Sequence, residues 1–88
     1  MQMLKYRAVG SDVQAVEVTA KNVLDVAELT GGTHYVSPRT EEPYVVLQTP
    51  TGAARADLGT FVVQHGPDDE PAFRVLDADA MASQYARP

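Results

Sequence analysis

Eighty-eight residues leave room for one hydrophobic core, because two would each bury too little surface to offset the entropy of ordering the chain. Apolar residues at 44% and charged residues at 22% are ordinary globular usage and exclude a disordered chain, while the absence of cysteine excludes a disulfide framework and a thiolate zinc site. A formal charge of -5 argues against nucleic-acid binding, which depends on Lys and Arg displacing phosphate counterions, and Arg39, Arg55, Arg74 and Arg87 interrupt the single-sign acidic face a DNA mimic needs.

In chain order, Lys5 to Val9 reads as an extended arm ended by the turn signal Gly10-Ser11-Asp12. Val13 to Val18 is rich in β-branched residues and apolar at both parities, which predicts a strand partly covered on both faces or carrying a bulge. From Ala20 the period changes: Ala20, Val23, Leu24 and Ala27 follow helical spacing, Thr19 is placed as the N-cap, and Gly31 or Gly32 ends the helix in the left-handed conformation. His34 to Val36 is a short extended piece, and Ser37 to Pro43, with two prolines and Glu41-Glu42, reads as a floppy exposed loop.

Tyr44 to Thr49 predicts a strand, and Thr49-Pro50-Thr51-Gly52 suits a type I turn into a hairpin partner over Ala53 to Leu58. Gly59 then breaks the chain before a strand at Thr60 to His65; with no other turn residue near, it is expected to take a positive φ at a tight junction between antiparallel strands. Pro67 to Pro71 is an acidic loop, Ala72 to Leu76 a last strand, and Asp77 or Asp79 caps a short helix running through Tyr85. Short connections imply antiparallel pairing. The expected architecture is one α+β domain over residues 1–88: a small, mostly antiparallel sheet packed against one main helix, with a short C-terminal helix. Its core would be Val16, Val18, Val23, Leu24, Ala27, Val45, Leu47, Phe61, Val63, Phe73, Val75 and Met81.

Chemistry is sparse. His34 and His65 lack helical i, i+3 or i+4 spacing to any acid and read as solvent-exposed residues at strand ends rather than as metal ligands or a general base. Asp68-Asp69-Glu70 lacks the alternating ligands and central glycine of a calcium loop. Thr30-Gly31-Gly32-Thr33 ends a helix, where the dipole repels phosphate, instead of opening one. No nucleophile elbow is present. No catalytic group, metal site or cofactor is therefore expected.

Tyr6, Tyr35, Tyr44 and Tyr85 are of the residue type enriched at interfaces, and the cation-aromatic-cation run Lys5, Tyr6, Arg7 is the candidate partner-binding site. An unprotected sheet edge gives a further reason to associate, as a homodimer through the arm around Tyr6 or an edge formed by Tyr44 to Leu47. No apolar run approaches the roughly 20 residues that span a bilayer, so no membrane partner is expected. Lys5 and Arg7 have no apolar stretch behind them to act as a signal-peptide core, so the cytoplasm is the expected compartment. Arg over Lys, with abundant Ala and Val, points to a GC-rich source genome.

The order Tyr6-Arg7, Val13-Gln14-Ala15-Val16-Glu17-Val18-Thr19, Asn22, Gly31-Gly32, Thr49-x-x-Gly52, Ala56-x-x-Gly59, Phe61-Val62-Val63, Phe73 and Tyr85 resembles small bacteriophage and prophage proteins of unassigned function. Those typically open on a Tyr-Arg-Lys-Lys-Pro type motif, continue with a Val-Glu-Ala-Val strand and carry a Gly-Asp-aromatic turn. Here Ala8-Val9 replaces Lys-Lys, and Thr60 stands where Asp is common. The resemblance spans nearly the whole chain, but its motifs are turn glycines and strand patterns. It implies a non-enzymatic accessory protein that binds a protein, a host protein included, in the host cytoplasm; a virion component is a further alternative. The alternative from another class is a small-ligand binder or minor enzyme with a site at an oligomer interface, lined by His34, Tyr35 or Arg39.

Overall fold

The computed structural model describes residues 3–8, 11–66 and 70–84, with the backbone alone at 4–8, 11 and 12. Strands β1 (Leu4–Ala8) and β2 (Ser11–Glu17) lead into helix α1 (Val23–Thr30). β3 (Thr33–Val36), β4 (Pro43–Thr49), β5 (Gly52–Ala56), β6 (Phe61–His65) and β7 (Ala72–Leu76) follow, and α2 (Ala78–Gln84) closes the order. The α+β class, the antiparallel pairing, the main helix and the short C-terminal helix are those the sequence predicts. The strands, however, form two sheets rather than one: a four-stranded sheet in the order β1-β2-β6-β7 and a three-stranded meander β3-β4-β5.

The division occurs at Asp57 to Thr60. Val18, just past β2, donates its amide to the Thr60 carbonyl at 2.8 Å and accepts from the Gly59 amide at 2.9 Å. The chain leaving β5 is thus captured by β2 instead of folding back on its own hairpin. Gly59 has the expected positive φ, 87°, but joins strands of different sheets. A Cβ there would meet nothing within 4 Å, so any cost is backbone strain alone. Gly59→Val is expected to destabilise by more than about 1 kcal/mol, or roughly 4–8 °C in Tm for a domain of this size. A thermal melt checks this, and an unchanged midpoint contradicts it.

β2 is covered on both faces. Val16 and Val18 join Val62 and Phe73, Val45, Leu47 and Ala56 of the other sheet, and Val23, Val26 and Ala27 of α1 in the main core. On the opposite side, Ala15 packs with Phe61, Val63 and Met81 of α2. This is the two-parity burial that Val13 to Val18 foreshadows, without a bulge in its register against β6.

α1 begins one turn later than expected. Asn22, not Thr19, precedes it, and the Asn22 side chain turns backward: Oδ1 accepts from the Thr19 amide at 2.8 Å and Nδ2 donates to the Glu17 carbonyl at 2.8 Å. Those bonds hold residues 19–22 in a turn; the inward stripe is Val23, Val26 and Ala27, packed against both sheets, and Leu24 is 66% exposed rather than in the core. At the other end Gly31 is left-handed as expected, with φ 68°, and Gly32 donates to the Ala27 carbonyl at 2.9 Å. Asp77 supplies the α2 cap, its Oδ1 accepting from the Ala80 amide at 2.7 Å. Val75 is half-buried instead of buried. Of the expected features, Gly10, Asp68, Asp69 and Tyr85 lie outside the described residues.

Candidate functional site

In β4 the buried residues are Val45 and Leu47, so alternation turns Tyr44, Val46 and Gln48 to the outer face of the three-stranded sheet. Register places Tyr35 of β3 opposite Tyr44 and Arg55 of β5 opposite Val46, which brings both onto that face. The Tyr35 and Tyr44 rings stack with centroids 5.6 Å apart and planes 22° from parallel. The Arg55 guanidinium carbon lies 3.8 Å from the Tyr44 ring centroid, within cation–π range. Arg55 Nε also donates to Asp57 Oδ1 at 2.7 Å. That pair is about half exposed, so it orients the guanidinium more than it stabilises the fold. Tyr35 is 47% exposed and the adjacent Val36 55%.

The loop joining β3 to β4 fixes this arrangement. Within it the Ser37 amide donates to the Glu42 carbonyl at 2.9 Å and the Glu41 amide to the Ser37 carbonyl at 2.9 Å. Ser37 is buried, and Glu41 takes a φ of 60°, an uncommon conformation for a side chain of its kind. The closed loop locks the hairpin register that pairs the two tyrosines. At the β4–β5 turn Thr49 Oγ1 donates to the Gly52 carbonyl at 2.7 Å, fixing the register that delivers Arg55.

Lys5, Tyr6 and Arg7 lie in β1, opposite Gln14, Val13 and Asp12. β1 is an outer strand of the four-stranded sheet, so this run belongs to a different sheet from the tyrosine face, and the two are not one site. The expected edge at Tyr44 to Leu47 is corrected: β4 is the middle strand of its sheet, its backbone paired on both sides, because β3 returns against it through the closed loop. Edges available for pairing are at β1, β3, β5 and β7. The sequence singles out Tyr35 and Tyr44 but not Arg55; the signal was the two-residue turn at Pro50-Thr51, which alone sets Arg55 across from Val46.

Both histidines do stand in strands, but neither is fully solvent-exposed. His65, at the end of β6, is half-buried, with Nε2 shielded from solvent and without a hydrogen-bond partner. It lines a cleft of about 420 Å³ with Thr49, Pro50, Thr51, Ala54, Arg74, Val75 and Leu76, between the tip of the β4–β5 hairpin and strands β6 and β7. His34, Tyr35 and Arg39 take no part in that cleft. Among the described residues no three His, Asp or Glu side chains converge as metal ligands, and no helix is long and apolar enough to cross a membrane. Comparison with protein-family models, curated proteins and solved structures finds no match.

Proposed function

We infer that this chain is a non-enzymatic binding protein, acting through the outer face of β3-β4-β5 on a protein partner. The observation that carries the reading is the Tyr35-Tyr44-Arg55 tier. Tyrosine and arginine are the residues that concentrate binding energy at protein interfaces, and side chains already stacked on one another lose little further freedom on binding. The resemblance to small bacteriophage and prophage proteins supplies the biological setting: an accessory protein that engages a host protein in the bacterial cytoplasm, with the run Lys5, Tyr6, Arg7 as a second contact.

Affinity capture from a bacterial host extract, run in parallel with wild type and with Tyr35→Ser/Arg55→Glu, tests the reading. One stoichiometric protein is expected with wild type and at least tenfold less with the variant, since each lost interface anchor weakens binding by about 1–2 kcal/mol or more. Both changes lie on the exposed face, so matching thermal melts are expected to show that folding is retained. Equal capture by the two proteins, or no stoichiometric partner, contradicts the reading.

A further inference from the structure

We propose that the cleft between the β4–β5 hairpin tip and strands β6 and β7 binds a small organic monocarboxylate with an apolar body. No residue of the tyrosine tier lines the cleft, so the inference stands apart from the protein-binding reading. Its volume of about 420 Å³ lies at the small end of the range for ligand pockets.

Three features of its lining define the ligand. Pro50, Ala54, Val75 and Leu76 form an apolar wall suited to a hydrocarbon body. Arg74 supplies the charge: in a chain with 12 acidic residues against 7 Lys and Arg, its guanidinium makes no ion pair among the described residues. A free guanidinium presents the planar fork that takes a carboxylate in two parallel hydrogen bonds. His65 supplies a further polar atom, since Nε2 is closed off from solvent and unpartnered. A shielded polar atom without a partner is rare in folded proteins and points to a group that completes it. A turn of the imidazole ring brings Nε2 to the cleft surface, where in the Nε2–H tautomer it donates to a carboxylate oxygen.

The rim is already committed elsewhere. Thr49 Oγ1 donates to the Gly52 carbonyl and lies 3.1 Å from Thr51 Oγ1, so the hydroxyls hold the hairpin tip in shape. One guanidinium matches one negative charge. A phosphate dianion would leave a second charge unmatched on a protein whose net charge is already -5.

Titration of the isotope-labelled full chain with phenylacetate, phenylacetamide and inorganic phosphate, followed by amide NMR, tests this. Phenylacetate is expected to produce saturable shifts at Ala54, His65, Arg74 and Val75 with Kd about 1–10 mM, as suits a ligand of so few atoms. The uncharged amide and phosphate are expected to bind at least tenfold more weakly. Arg74→Gln, at an exposed side chain, is expected to weaken phenylacetate binding at least tenfold while leaving the amide unchanged. Arg74→Lys, which keeps the charge and loses the fork, provides a second variant should the first lose its fold, with binding again reduced. Absence of saturable shifts at those four residues overturns the proposal. So does equal binding of acid and amide, phosphate binding tighter than phenylacetate, or undiminished binding in a folded Arg74 variant.

Discussion

Leu47→Ala is expected to destabilise the protein by about 2–5 kcal/mol, against a total of roughly 4–13 kcal/mol for a chain of this length. Leu47 is 1% exposed on the middle strand of the β3-β4-β5 sheet and packs into the core shared with α1 and the four-stranded sheet. Truncation there leaves a cavity bordered by three elements, none of which collapses without moving the others. Leu24→Ala is the control. It removes the same atoms from a side chain 66% exposed on α1, and a change within about 0.5 kcal/mol is expected. Urea unfolding of both variants measures the difference, and equal losses would mean that α1 packs through the face the sequence first suggests.

Gly32→Ala has the next largest expected effect, and its neighbour shows why. A Cβ on Gly32 would stand 2.5 Å from the Val46 carbonyl oxygen and 3.1 Å from the Val45 side chain, so β4 or the end of α1 must shift. Overpacking of this kind costs about 1–3 kcal/mol, and backbone contact puts it toward the upper end. Gly31→Ala meets nothing within 4 Å and carries only the strain of its φ of 68°, about 1 kcal/mol. Chemical denaturation should therefore rank Gly32→Ala as the more damaging, although Gly31 is the residue in the left-handed conformation. The reverse order would show that β4 yields to the added carbon.

This ranking lies beyond what the sequence expresses. Gly31-Gly32 announces a helix end, and a left-handed residue is there, but the need for a second glycine comes from β4 approaching in space. The same division holds for α1. Helical spacing puts Val23 and Ala27 inside in either case, whereas the choice between Leu24 and Val26 depends on which side of that stripe the two sheets cover, and they cover Val26. Hairpin turns, strand identities and the Asp77 cap are legible because each is determined within a few residues. The separation into two sheets is not, since it depends on Val18 meeting Gly59 and Thr60 from far along the chain. For the tyrosine tier, residue types and the hairpin turn are both legible in the sequence; only their combination shows that Arg55 reaches Tyr44. The cleft was out of reach, because its two sides come from different sheets.

The pairing of β2 with β6 sets Ala15 against Val63, across more than half the length of the chain, while β3, β4 and β5 pair only with their immediate neighbours in sequence. Local hairpins close at little entropic cost, but the distant pair must close a loop that contains the whole meander. On a ribosome, the meander and α1 are therefore synthesised and free to associate while Val16, Val18 and the inner face of β4 still lack Val62 and Phe73. Until β6 leaves the exit tunnel, β2 offers its unpaired edge to any extended segment nearby. The time this nascent chain spends open to mispairing is thus set by how quickly translation passes from Val18 to Val63.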